Sequence, residues 1–256
     1  MMISKQQIIE GLQKKIEAGE PIIATAAGAG LVARVEEKNG ADLIVVYNSG
    51  LYRMNGIASI AGNLPIGDAN QIVYDMGKNQ ILPMVDHTPE LWNIGYRCVI
   101  NFPTIGKLSG PIRKELEQVD LGFAKEVERL QLAAELGFVT LAYCYNPEEA
   151  EILAKADIDI IVSHAGLTAG GDVGVKIAAP IDVAIRKTEE ILSAAKKTKP
   201  DIITLCHGGP IVSPEDVQRV LKETCAMGFV AASSIERLPV EKGISDTLKA
   251  LKSVRK

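Results

Sequence analysis

Residues 138–164 read FVTLAYCYNPEEAEILAKADIDIIVSH. Two short, nearly unbroken aliphatic runs, 138–143 and 158–163, flank a longer segment that mixes charged and apolar residues at helical spacing. A run without polar alternation is what a parallel strand buried on both faces requires, because every side chain meets core. Working outward, the same pairing of run and helical segment recurs. Further strands are predicted at 22–26, 42–47, 81–85 and 97–101 upstream, and at 202–206 and 228–232 downstream, eight in all. Helical patterns follow, for example at 120–136 and 180–197, and Ser213-Pro214-Glu215-Asp216 is a helix start with an N-cap, a first-turn proline and early acids.

Eight strand–helix pairs in 256 residues match the size of one closed barrel. The expectation is a single (β/α)8 TIM barrel over 1–256, with an extra N-terminal amphipathic helix at about 4–18 and the barrel proper at about 22–254. The connections are asymmetric. Links from helix to strand, such as Asn39-Gly40-Ala41 and Gly137, are little more than turns, whereas the segments 48–67, 102–119 and 164–179 are long. In a barrel the long set lies at the C-terminal ends of the strands, where active sites are built.

Composition narrows the function classes. Lys plus Arg number 28 against 32 Asp plus Glu, a formal charge of -4, and aromatics are 4%, so neither a basic field nor a base-stacking platform for nucleic acid is expected. The amino-terminal stretch is charged and lacks an apolar run of signal or membrane-span length, which predicts a cytoplasmic protein with no membrane partner. Cys98, Cys144, Cys206 and Cys225 stand far apart, without a CxxC pair, and read as reduced core thiols.

The chain has three histidines, and each falls at a strand end: His87, His164 and His207. Imidazole titrates near neutrality, so such placement nominates acid/base groups. A shared tri-histidine zinc site is disfavoured because the third and seventh strands of an eight-membered ring lie on opposite sides. Asp86 is the strongest acid/base or metal candidate, since a carboxylate at a buried strand end is costly unless paired, metal-bound or catalytic. Asp68 reads as a helix N-cap or as its helper. Gly208 and Gly209, with Ser233 and Ser234, offer backbone and hydroxyl donors for an anion; a tight packing turn is the bland reading of the same residues. Arg53 could clamp an acidic substrate, and Glu236 either acts on a ligand or pairs with a loop cation.

The segments VVYNSGLYRMNG, AGNLPIGDAN, GLTAGGDVG, CHGGPI and GFVAASSIERLP together resemble the phosphoenolpyruvate hydrolase-like family, also described as TIM-barrel signal-transduction proteins. A more distant likeness is to the phosphoenolpyruvate mutase and isocitrate lyase superfamily. These resemblances imply a hydrolase or lyase acting on a small phosphorylated or phosphonate 2-oxo acid. Ser49 and Gly50, with Asn48, Arg53 and His87 nearby, would orient the ligand. Gly208, Gly209, Ser233 and Ser234 would hold its anionic group, Asp86 would position water or an optional Mg2+, and His164, His207 or Glu236 would move protons. The alternative is a non-catalytic metabolite-sensing or partner-binding barrel. A Schiff-base aldolase ranks last, because no predicted strand interior carries Lys and both Lys107 and Lys176 lie in loops. Homo-oligomerisation is expected from the habit of such barrels of pairing through outer helices.

Overall fold

A computed structural model describes residues 3–84 and 96–255. Its elements run α1 (Lys5–Glu17), β1 (Ile22–Ala26), α2 (Gly30–Lys38), β2 (Leu43–Val45), α3 (Asn48–Met54), α4 (Ala69–Met76), β3 (Cys98–Ile100), α5 (Gly110–Gln118), α6 (Phe123–Glu135), β4 (Val139–Cys144), α7 (Pro147–Lys155), β5 (Ile160–His164), α8 (Ile181–Thr198), β6 (Ile203–His207), α9 (Pro214–Glu223), β7 (Gly228–Ala231) and α10 (Arg237–Ser253).

All described strand pairs are parallel, in the order β2-β1-β7-β6-β5-β4-β3. The first strand lies between the second and the last, which is the cyclic order of a barrel opened between β2 and β3. The two edges approach at the C-terminal end. Tyr47, just past β2, meets Phe102, just past β3, with ring centroids 4.9 Å apart. The sheet is therefore curled in the TIM-barrel manner, with seven strands among the described residues.

The pleat sorts each strand into two faces. Val139, Leu141 and Tyr143 of β4, Ile160 and Val162 of β5, Ile203 and Leu205 of β6, and Ile22 and Ala24 of β1 form one interior cluster. Intervening residues, including Ala142, Cys144, Ile161 and Cys206, pack outward against α6 to α9. The extra amino-terminal helix is present and closes the lower end: Leu12 of α1 is buried in the interior cluster, with Ile8, Ile9 and Ile16 beside it. A capping box between Ser4 and Gln7 starts that helix, and ion pairs Lys5–Asp159 (2.8 Å) and Lys15–Asp42 pin it to the strand-entry loops.

One strand expectation fails. Ile81 ends a π-helical turn, Gly77–Ile81, that extends α4, and Leu82–Met84 form a 3-10 turn, so 81–84 are not strand; Val85 lies outside the described residues. A short apolar run fits a buried helix as well as a strand, and Ile81 packs with Ala33, Val46 and Met76. Two of the three long connections also contain helix: α3 occupies the start of 48–67, and α5 lies within 102–119. All four cysteines are free thiols. No helix among the described residues is long and apolar enough to cross a membrane.

Candidate functional site

The inward pleat of the central strands ends in polar rings. Tyr143 shares a face with Val139 and Leu141, and the same parity places His164 above Ile160 and Val162, and His207 above Ile203 and Leu205. His164 and His207 stand opposite one another in the β5–β6 register. Their ring centroids are 4.7 Å apart at 87°, Tyr143 lies 5.2 Å from each, and Tyr145 stacks on His164 at 4.8 Å.

These rings form the floor of a cavity of about 220 Å3 whose wall includes Lys107, Arg53, Ser49, Ser233, Thr168 and Arg237. The described lining contains three cationic side chains and no carboxylate. Two of the cations are engaged elsewhere. Arg53 donates from Nε to Glu236 Oε2 at 2.6 Å, pairs with the same oxygen through Nη2, and reaches Ser59 Oγ at 3.2 Å. The backbone N–H of Gly28 donates to the other carboxylate oxygen of Glu236. Arg237 donates to Gly170 O at 2.9 Å and to Glu241 at 3.0 Å, which ties the loop after β5 to α10. Lys107 has no ion-pair partner among the described residues, and burial pushes its ammonium down to about 8. It is thus the cation with charge to offer a ligand.

Burial also sets the imidazoles. It pushes His207 down to about 4 and His164 well below the usual histidine range, where the neighbouring His207 works in the same direction. Burial thus favours the neutral form of both rings. Burial raises Glu236, while the adjacent Arg53 opposes it. Glu36, buried behind β1 on α2, is pushed up to about 8 by desolvation.

Of the residues nominated from sequence, His164, His207, Ser49, Arg53 and Ser233 converge on this cavity. Glu236 sits behind Arg53 and is not part of the lining. Asn48 is buried, and its Nδ2 donates to Gly62 O at 3.0 Å. Gly50 serves close packing: a side chain at the facing Gly28 would come within 2.2 Å of the Gly50 carbonyl. Gly208 and Gly209 adopt φ of 78° and 60°, the left-handed region that favours glycine, and Gly209 N–H donates to Gly166 O at 2.8 Å. They hold the β6 turn against the loop after β5, and neither they nor Ser234 line the cavity. Asp68 caps α4, accepting from the N–H groups of Asn70 and Gln71. Asp86 and His87 lie outside the described residues.

The sequence reading did not nominate Tyr47, Tyr143 or Arg237 for the site, and it placed Lys107 in a loop only to set a Schiff-base lysine aside. Tyr143 carried a usable signal, its parity with Val139 and Leu141. Lys107 carried none, since it belongs to a 3-10 turn, Ile105–Lys107, inside a long connection.

Mg2+ is the cation that the superfamily likeness implies. A hard divalent ion needs several oxygen ligands, usually with carboxylates among them. Among the described residues no group of three His, Cys, Asp or Glu side chains could hold a metal, and the nearby Glu236 is saturated by Arg53 and Gly28. The described residues therefore do not fit Mg2+; Asp86, its candidate ligand from sequence, is not among them.

Fold and cavity together define a barrel-type α/β protein whose C-terminal mouth holds a small cavity, cation-bearing and without a carboxylate among the described lining residues. The chain belongs to the phosphoenolpyruvate hydrolase-like family, whose pattern matches residues 7–92 and 89–254. It is 42% identical to the ToMV resistance protein Tm-1(GCR237) and to the ToMV susceptible protein tm-1(GCR26) of Solanum lycopersicum, each over 96% of this chain and 35% of the relative. The y4pA protein of Sinorhizobium fredii, provisionally named a transcriptional regulatory protein, is 30% identical over 98% of this chain and 44% of its own length. The chain thus spans less than half of the curated relatives it matches. Similar solved structures include phosphonopyruvate hydrolase in complex with oxalate and Mg2+ (14% identity, TM-score 0.39, 98% of this chain and 69% of that one). Another is the N-acetylmannosamine-6-phosphate 2-epimerase of Clostridium perfringens (16% identity, TM-score 0.42, 88% and 92%).

Proposed function

We propose that the cavity binds a small phosphorylated or phosphonate 2-oxo acid, of the phosphoenolpyruvate or phosphonopyruvate kind, and that the protein acts on it as a hydrolase or lyase. The observation that carries this reading is the cavity lining among the described residues: Lys107 without an ion-pair partner there, the buried Arg53 and Arg237, two buried imidazoles, and no carboxylate. Such a wall repels cationic ligands and favours an anion, and about 220 Å3 is below the usual range for drug-sized ligands, so the occupant is a small metabolite. The family assignment supports the same chemistry. In this scheme Lys107 holds the anionic group, Ser49 and Ser233 add hydroxyl donors, and the two histidines handle protons. Asp86 positions the attacking water.

Binding without turnover is the second reading, favoured by relatives named for virus resistance and for transcriptional regulation. One assay separates the two. Phosphate release from phosphoenolpyruvate and phosphonopyruvate is followed with and without Mg2+, beside calorimetric titration of the same compounds. Release that is lost in Asp86→Ala supports the enzyme. Saturable binding with no product supports the sensor, and no binding of either compound overturns both.

A further inference from the structure

The two buried imidazoles carry opposite polarity. Gly166 N–H donates to His164 Nδ1 at 3.0 Å, so that nitrogen holds a lone pair and the proton of the neutral ring sits on Nε2. His207 Nδ1 lies 2.7 Å from the carbonyl oxygen of Val230, which can only accept. The proton of His207 is therefore on Nδ1, and its Nε2 presents a lone pair. Neither Nε2 has a partner among the described residues, and both rings line the same cavity. Backbone groups at the ends of β5 and β7 set these tautomers, while Tyr145 stacked on His164 and Tyr143 against both rings hold their planes. One ring can give a hydrogen bond and the other can take a proton, side by side, and nothing in the fold lets them exchange roles without breaking a backbone hydrogen bond.

We propose that this pair interconverts the keto and enolate forms of a 2-oxo acid, with His207 as the base and His164 as the hydrogen-bond donor to the carbonyl oxygen. The inference rests on the reading of the cavity as a 2-oxo acid site. His207 Nε2 removes a proton from the carbon next to the carbonyl, and the C–H electron pair becomes the C=C bond. The carbonyl π pair moves onto oxygen, which is held by the Nε2–H of His164, and His207 becomes imidazolium. Reversal returns a proton from His207 to carbon. His164 never ionises; a neutral imidazole suffices as an oxyanion donor when it is fixed and dry. The negative enolate is balanced by the new imidazolium and by the Lys107 ammonium in the same cavity. A bound anion also counteracts the burial that disfavours a charged His207, bringing its basicity closer to the range a general base needs. The activity follows on from cleavage of a phosphoenol or phosphono acid, because either releases an enol or enolate that must be protonated at carbon.

Three measurements test this. Long-range 1H–15N correlation spectra of 15N-histidine-labelled wild-type protein at pH 7, assigned with H164Q and H207Q, are expected to show His164 as the Nε2–H tautomer and His207 as the Nδ1–H tautomer. The same tautomer on both, or a charged ring, overturns the proposal without reference to activity. In D2O, wild-type protein is expected to exchange the methyl protons of pyruvate, with H207Q and H164Q each slower by roughly 100-fold or more. Exchange that survives H207Q overturns the assignment of the base. Calorimetry with phosphoenolpyruvate and phosphonopyruvate separates the proton pair from the ligand reading. Either compound bound while pyruvate is not exchanged sinks the proton pair and leaves the ligand reading standing, whereas no binding of either sinks the ligand reading and the proposal with it.

Discussion

The two ends of the curled sheet are equally buried and chemically opposite. At the lower end the inward pleat presents Ile22, Val139, Ile160 and Ile203, and α1 inserts Leu12 among them. At the upper end the same pleat presents Tyr143, His164 and His207, with the Arg53–Glu236 pair alongside. Burial does not separate them, since both sets are nine-tenths covered or more. Only the lower end is what stability alone would select. Buried ions and imidazoles cost desolvation that aliphatic packing does not, so the upper end should respond differently to every perturbation.

The largest response is expected at the ion pair. Arg53→Met leaves the Glu236 carboxylate buried with a single backbone donor, and loss of one partner of a buried pair costs about 3 to 5 kcal/mol. Urea unfolding at pH 7 measures it, and the double variant Arg53→Met/Glu236→Gln should recover a large part. A cost in Arg53→Met below about 1 kcal/mol, the value of an exposed pair, would erase the contrast between the ends.

Acid should act on the upper end next. His207 has a folded value of about 4 against an ordinary value of 6.5. A depressed value means that the unfolded chain binds the proton first, so the contribution is fully present above 6.5 and is lost as pH falls towards 4. The loss amounts to about 3 kcal/mol over that window. Subtracting the pH dependence of His207→Gln isolates it from opposing groups such as Glu36, whose raised value gives stability that is lost as pH rises towards 8. A variant with the same acid slope as the wild type would show that His207 is not buried neutral.

At the lower end Leu12→Ala should cost about 2 to 3 kcal/mol, in the low part of the range for such truncations, because a helix lying over an open barrel end can settle into the space. Anion binding at the far end should be unchanged. Weakened binding in this variant would mean that the plug and the mouth are coupled, and the comparison would no longer describe two independent regions.

What the sequence disclosed follows the same division. Strands at 22–26, 138–143 and 202–206 emerge within a residue or so of β1, β4 and β6, because continuous aliphatic runs between helical patterns admit little else. The run at 81–85 misled, since Ile81-Leu82-Pro83-Met84 is as apolar as a strand but continues the helical path of α4. In the site, His164 and His207 were legible from position alone, as the last residues of β5 and β6. The fate of Glu236 was not. Its partner Arg53 is 183 residues away in the chain, and no local pattern reports a contact made by closing the barrel. The loop glycines looked like an anion cradle because left-handed turns and phosphate loops use the same residue for the same steric reason.

The smallest effect bears most directly on function. Lys107 is half-buried, faces the cavity and has no ion-pair partner among the described residues, so its charge contributes nothing to the fold that a neutral side chain would remove. Lys107→Met should leave the urea midpoint unchanged or slightly raised, because desolvation of the ammonium disappears. Affinity for phosphoenolpyruvate should fall about 10-fold, roughly 1.4 kcal/mol, and the loss should shrink at pH above 8, where the wild-type amine itself gives up its proton. This combination of stability kept, binding lost and a pH-dependent difference is one that no substitution at the lower end can reproduce. Unchanged affinity at pH 7 would move the anion to Arg53 or Arg237, and with it the orientation of any 2-oxo acid over the two histidines.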